Sequence, residues 1–415
     1  MELGGTWRAA PGGDQLRRSF VDPSFDDAGW AAVAVPGHWR STPALADSDG
    51  PVLYRRRFDA PRLEAGRRSF LVLDGCFYLG DVWLDGAYLG TTEGYFQPHA
   101  FEVTDQRRDR TEHVVAVELT CDRPLDLSAK RYLTGAFQHG DSPDPDGNPG
   151  GIWRPVHLVE TGPVRIDALR ARCPEASAGR AHLLVTARLD AAEAGEVELR
   201  STVEPGGVEH VRTAELTAGV NEVSWRVDVS DPALWWPRAL DPTGAAPVLV
   251  DLVVEARPTG GPGHGPVSDT ASRRTGLRQV RMHQLVLEVN GERLFLKGAT
   301  LGPSRQALGE APVAALEGDV TLALDAGLDL LRVHAHISRP ELYDAADRAG
   351  LLLWQDLPMR GGYTRTVRAQ AVRQAQAAVD LLAHHPSVAL WCAHAEPVAL
   401  AADLPPARML RRFAR

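Results

Sequence analysis

LDLLRVHAHISRPELYDAADRAGLLLWQDLP, residues 328–358, decides the architecture. Two short apolar runs, LDLLRVHAHI and LLLWQDLP, read as strands, and RPELYDAADRAG between them reads as a helix that stops at Gly350, where a C′ glycine adopts positive φ. The runs are apolar through their bodies, as strands covered on both faces are. Strand, helix and strand in this order make a βα unit and a parallel sheet. The pattern continues on both sides. APVAALEGDVTLALDA (311–326) reads as helix, and so does TVRAQAVRQAQAAVDLLAHH (366–385), with Val372, Ala375, Val379 and Leu382 on one stripe. SVALWCAHAE (387–396) reads as a strand, and LVLEVNGERLFLKG (285–298) as a hairpin across Asn290-Gly291 that leads into another. Four parallel strands are therefore expected, at about 294–300, 328–337, 351–357 and 387–394. Reactive residues of such sheets gather at strand C-termini. Those ends carry Arg332, His334 and His336, then Gln355 and Asp356, then His394 and Glu396.

Upstream the rhythm is β throughout. PVLYRRRFDAP (51–61), RRSFLVLDG (67–75), HVVAVELT (113–120) and IWRPVHLVE (152–160) read as strands. DVWLDGAYLG (81–90) holds two apolar runs across Asp85-Gly86, a type I′ hairpin signal. QHGDSPDPDGNPGG (138–151) reads as a polar loop. Five further strand-like runs between 164 and 256 indicate a separate small sandwich, and RPTGGPGHGPVSD (257–269) a surface loop or hairpin tip.

The bulk numbers exclude several classes. The 415 residues are 44% hydrophobic and 24% charged, with a net charge of -9, ordinary for a globular protein and wrong for general nucleic-acid binding. The basic tail RMLRRFAR (408–415) is read as one face of a helix. The 4 cysteines are scattered, so neither a zinc site nor a disulfide framework is expected. The first 20 residues lack an apolar core and no run of about 18 apolar residues occurs, so neither a secretory signal nor a membrane span is expected, and the expected location is cytoplasmic.

At YRRRF (54–58), LDGCFYLGDVWLDGAYLG (73–90), GGIWRPVHL (150–158), DPALWWP (231–237), LEVNGERLFLKGA (287–299) and HHPSVALWCAHAEP (384–397) the chain resembles glycoside hydrolase family 2, with WQDLP (354–358) nearest its β-mannosidases. The resemblance implies a multidomain β plus α/β protein. A galactose-binding-like jelly-roll β-sandwich spans 1–161, an immunoglobulin-like β-sandwich 162–280, and the first half of a (β/α)8 TIM barrel 281–415. It further implies hydrolysis of O-glycosyl bonds in β-linked hexosides by a retaining mechanism, in which an acid protonates the leaving oxygen and a second carboxylate attacks the sugar. No cofactor is implied, and no ligand cluster has the spacing to claim a metal.

By the same resemblance Glu396 holds the acid/base position. Arg332 matches an arginine that orients carboxylates or hydroxyls, and Trp354 and Asp356 match residues lining the sugar site. Trp354 and Trp391 are a stacking floor for a pyranose or else core; Arg332 and Asp356 are substrate contacts or else partners in structural pairs. His334 and His336 are read as dividing between the barrel interior and the helix side, with a core role as the alternative for each. Two departures follow from the family pattern. Ala395 stands where the family has an asparagine bonding the sugar 2-hydroxyl, a role His394 is placed to share. The family's nucleophile falls on a later strand than residue 415, so this chain is expected to be truncated and inactive by itself, with open sheet edges for a second chain or an oligomer. A non-catalytic carbohydrate-binding protein and a decayed remnant are the alternative readings.

Overall fold

The computed structural model describes residues 1–397 except 141, 145, 242–243 and 260–264; the basic tail 408–415 lies outside the described residues. The first part is an antiparallel sandwich. Its larger sheet runs in the order Ala31–Val35, Gly5–Pro11, Val52–Asp59, Glu112–Thr120, Leu79–Leu84, Ala87–Glu93, and a second sheet joins Val156–Thr161, Arg68–Leu73 and His99–Glu102. Trp7, Tyr54 and Val117 of the first sheet and Leu71, Leu73 and Leu158 of the second share one apolar cluster. Asp85-Gly86 turns the expected hairpin with φ of 53° and 83°, the left-handed pair a type I′ turn requires.

A second sandwich packs Val164–Ala176, Arg180–Ala191 and Gly219–Ser230 against Val208–Leu216, Gly195–Glu204, Val250–Pro258 and Asp269–Thr275. Its core is its own: Leu183, Val185, Ala187 and Leu189 alternate inward and meet Val197, Leu199, Leu252 and Val254. Trp225 joins the two sheets through a hydrogen bond from Nε1 to Ser201 Oγ at 2.9 Å.

The α/β part comprises β1 (Gly298–Leu301), α1 (Val313–Asp325), β2 (Leu330–Val333), α2 (Pro340–Ala349), β3 (Leu352–Asp356), β4 (Arg360–Gly361), α3 (Arg368–Leu382), β5 (Val388–Cys392) and β6 (Ala395–Pro397). β1, β2, β3 and β5 form a parallel sheet in that order, and β4 pairs with β6 beyond its C-terminal edge. α2 ends as expected at Gly350, whose φ is 72°. Alternation gives the sheet two faces. Leu331, Val333 and Leu353 join the cluster that includes the helices and the first sandwich. Leu330, Leu352 and Leu390 meet Trp235, Leu287 and Val289, so the hairpin Val286–Val289/Glu292–Leu294 covers the lower half of the other face.

Two expectations need correcting. β2 stops at Val333 rather than 337, because Ala335 takes φ of 49° and turns the chain. β1 was expected to be buried on both faces, yet Gly298, Ala299 and Thr300 are exposed, since no strand pairs with its outer side among the described residues.

α3 shows why an apolar stripe underspecified its burial. Its covered face includes Gln370 and Gln374 beside Ala371, Ala375, Ala378, Val379 and Leu382, while Val372 is only half-buried. Both glutamines reach the hydroxyl of Tyr78 in the first sandwich at 2.7 Å, and Leu133 N–H donates to the same oxygen at 2.9 Å. A buried donor left without its partner costs about 1–3 kcal/mol. Tyr78→Phe is therefore expected to destabilise the chain by about 2 kcal/mol, read as a lower urea midpoint; an unchanged midpoint would show that the knot does not hold α3 to the sandwich.

Candidate active site

The uncovered half of the sheet face is built by strand alternation. Arg332 on β2, Trp354 and Asp356 on β3 and Cys392 on β5 project to the same side, and the register sets Arg332 beside Trp354 and Asp356 beside Cys392. Asp356 is fully buried and is the hub. Arg332 Nε lies 3.1 and 3.0 Å from its two oxygens and Nη2 lies 2.8 Å from Oδ2. His334 Nδ1 and the Ala335 N–H each reach Oδ2 at 3.2 Å. Burial pushes the Asp356 carboxyl up, but the hydrogen bonds from His334 and Arg332 outweigh it and hold the group below its ordinary value. The guanidinium of Arg332 also lies over the Trp354 ring, 5.2 Å from its centroid.

Glu396 stands on β6, with φ of 54° and a side chain 64% exposed. Its Oε2 takes a hydrogen bond from Arg360 Nε at 3.1 Å. Arg360 is itself fixed from below. Its N–H donates to Tyr363 Oη at 2.9 Å, and its carbonyl accepts from the Lys130 ammonium, which sits 4.6 Å from the Tyr363 ring centroid. Lys130 comes from the first sandwich, 230 residues away in sequence, and is buried. His394 lies against the same tyrosine and meets the Gly361 carbonyl at 2.8 Å; burial lowers its pKa.

The structure thus gathers Arg332, Trp354 and Asp356 on one face, and Glu396 with His394 at the adjoining rim. Two expected site residues are elsewhere. His336 is 1% exposed, edge-on to Phe137, with Nδ1 on the His334 carbonyl at 3.0 Å. It and His334 were expected to fall on opposite faces of a strand, but β2 has ended before either, so strand geometry does not place them. Trp391 pairs with Gln355, not with Asp356, so it points to the helix side and packs on that core. Cys392, Arg360, Tyr363 and Lys130 were not anticipated. Cys392 was recoverable from its i+1 spacing to Trp391; Lys130 carried no local signal.

Ala395 is 1% exposed and clusters with Ala136 and Ala335. Among the described residues Asp344, Asp347 and His385 lie close enough together to hold a metal ion. Asp347, however, already accepts from His385 Nδ1 at 2.6 Å and Ser387 N–H at 3.0 Å, so the group serves as a structural pair.

The family model described as glycosyl hydrolase 2 galactose-binding domain-like matches residues 47–141. A β-mannosidase B of Thermothelomyces thermophilus is 27% identical over 381 residues, covering 83% of this chain and 43% of the relative. An exo-β-D-glucosaminidase of Streptomyces avermitilis is 28% identical over 327 residues, covering 74% of this chain and 34% of the relative. The chain therefore spans less than half the length of either. The solved structure of a glycosyl hydrolase family 2 member from Bacteroides cellulosilyticus superposes on 100% of this chain and 56% of its own, with a TM-score of 0.79 at 19% identity.

Removing Arg332 leaves Asp356 buried without its cation, and breaking such a pair costs about 3–5 kcal/mol. With Arg332 partly exposed, Arg332→Ala is expected to cost about 3 kcal/mol. The sign with pH is set by the carboxyl. In the native protein its pKa lies below the unfolded value of about 3.9, so its contribution is present above about pH 4 and is lost as pH falls through the depressed value. Without Arg332 the carboxyl loses part of what holds its pKa down, so the pKa rises from its native value and the stability the group contributes above about pH 4 shrinks. Urea unfolding at pH 4 and pH 7 should show the larger deficit at pH 7; equal deficits would mean that Arg332 does not govern Asp356.

Proposed function

The chain belongs to glycoside hydrolase family 2, and we propose that it supplies the proton-donating side of a retaining β-glycosidase acting on β-linked hexosides, β-mannosides first among them. The observation that carries this is the placement of Glu396. It is an exposed glutamate just past the C-terminal end of the fourth parallel strand, and its neighbour Ala395 packs on Ala335, whose amide caps Asp356. In this reading the division at residues 161 and 280 separates the two sandwiches from a sheet that forms part of a βα barrel.

The groups take definite roles. Glu396 protonates the glycosidic oxygen and later deprotonates water. Arg360 holds the Glu396 side chain at the rim through its hydrogen bond from Nε. Asp356 cannot be the nucleophile, since its oxygens are committed to Arg332, His334 and Ala335. It holds Arg332 instead, leaving that guanidinium and the Trp354 face for sugar hydroxyls and ring. The nucleophile is then a carboxylate from a segment or chain other than residues 1–397, placed about 5–5.5 Å from Glu396. Such a partner also covers the open edges of β1 and β5.

Azide substitutes chemically for a nucleophilic carboxylate. With aryl β-mannoside, β-galactoside and β-glucuronide offered in turn, the chain in molar azide is expected to release phenol and form the α-configured glycosyl azide from one of them. Glu396→Gln should slow a substrate with a poor leaving group by about 10²–10⁴-fold and a dinitrophenyl substrate far less, since only the former needs protonation. Equal rates for variant and parent on poor leaving groups would remove Glu396 from the role. Saturable sugar binding with no turnover under any condition would favour a non-catalytic carbohydrate-binding protein.

A further inference from the structure

A cavity of about 820 Å³ opens between the first sandwich and the segment that follows β4. Pockets that hold small ligands measure about 300–1,000 Å³. The sandwich supplies Asp49, from the turn before Val52–Asp59, and most of the loop after Glu112–Thr120; the α/β part supplies Thr364. Neither Arg332, Trp354 and Asp356 nor Glu396 lines it. It shares one wall residue with the rim, Lys130, whose ammonium bonds the Arg360 carbonyl.

The wall carries acceptors that the protein leaves open. Gln138 is 4% exposed, and its Oε1 has no hydrogen-bond partner, although its Nε2 is fixed on the Asp122 carbonyl at 3.2 Å. A buried polar atom without a partner costs free energy, which a ligand bringing the missing donor recovers. The backbone at Gln138 also lies in the left-handed region, with φ of 55°, a conformation that a non-glycine residue keeps only where its surroundings hold it. Asp122 spends one oxygen on the Tyr132 hydroxyl at 3.2 Å. Asp49 spends one on Arg40 Nη2 at 2.6 Å and Asn148 Nδ2 at 3.1 Å. The second oxygen of each exposed carboxylate accepts no hydrogen bond among the described residues.

Apolar surface stands in the same wall. The half-buried ring of Tyr132 is fixed by stacking on Tyr78, with centroids 4.7 Å apart, and Leu125 is fully exposed. Charge then separates the ligand classes. An anion would meet Asp49 and Asp122, and a simple cation would meet Lys130 and Arg131. Hydroxyl groups donate to carboxylates and accept from cations, so a neutral polyol escapes both penalties. A pyranose adds an apolar ring face suited to an aromatic side chain.

We propose that this cavity is a saccharide-binding site, taking a neutral oligosaccharide whose hydroxyls donate to Asp49, Asp122 and Gln138 and whose ring lies on Tyr132. The proposal goes beyond the glycosidase reading, since none of these groups belongs to the face around Asp356 and binding requires no turnover.

Isothermal calorimetry of the full chain carrying Glu396→Gln, with the β-linked trimers of mannose, glucose and glucosamine, tests the site. Saturable binding of a neutral trimer is expected. Adding Asp122→Ala should weaken it at least about tenfold, by removing a hydrogen bond to a charged group, and Tyr132→Ala by about fivefold or more. Adding Arg332→Gln should leave the affinity as it was. Should Tyr132→Ala not fold, Asp122→Ala decides the matter, since Asp122 is exposed. Absence of saturation with either neutral trimer, or undiminished affinity in Asp122→Ala, would overturn the site. A preference for the charged glucosamine trimer would overturn the neutral ligand, and loss in Arg332→Gln would move the binding to the candidate active site. Loss of turnover in Glu396→Gln bears on the glycosidase reading alone, so the two can fail separately.

Discussion

A carboxylate sealed from water must be met by donors on every side, and Asp356 imposes that requirement on everything around it. Arg332 is drawn across from β2, His334 is turned toward it, and the Ala335 amide closes the ring. Just past that amide, Ala335 adopts φ of 49°, which ends β2 and swings its carbonyl outward. That carbonyl accepts the Ala136 N–H of the first sandwich at 2.9 Å. The approach is so close that a Cβ on Gly135 would lie 1.8 Å from the same oxygen, so only glycine fits there. Ala136 and Ala335 then receive Ala395, and Glu396 follows. The position of the exposed glutamate is thus set, link by link, from a buried aspartate.

The rim is held with equal economy. Arg360 faces Glu396 with its side chain and Lys130 with its carbonyl, so one residue couples the first sandwich to the proposed proton donor. Lys130 in turn lies over Tyr363, whose hydroxyl accepts from the Arg360 amide. The first sandwich is therefore structural support for the rim as well as a domain in its own right.

Much of the architecture was legible because it rests on local rules. Asp85-Gly86 and Asn290-Gly291 turn their hairpins with positive φ, and Gly350 ends its helix in the left-handed region. The parallel sheet followed from strand–helix–strand alternation, and Arg332, Trp354 and Asp356 share a face because period-2 spacing places them there. The errors have a common origin. His336 and Trp391 were assigned from nearness to a strand end, and the face each takes depends on where the strand stops and on which residue it pairs with. Gln370 and Gln374 look like solvent-facing positions until Tyr78 supplies a buried acceptor from another part of the chain. Lys130 is beyond any local pattern, since its meaning comes from a contact 230 residues away. The roles of Glu396 and its neighbours in catalysis belong to the chemistry proposed above, not to the geometry alone.

The Tyr78 knot bears on the order in which the molecule is made. The glutamines that meet Tyr78 lie 292 and 296 residues downstream of it. Synthesis delivers the N-terminal sandwich long before α3, and domains fold largely as they emerge. A finished sandwich then presents a polar socket, with its hydroxyl already fixed by Leu133, to a helix still to be translated. Two glutamines on a helix face that would otherwise be apolar make that docking selective: the helix has one register in which both Nε2 groups reach the Tyr78 hydroxyl, and a shift by a single residue leaves both donors unpaired. The ribosome's direction of travel and the register of the last described helix are in this way linked through one phenol.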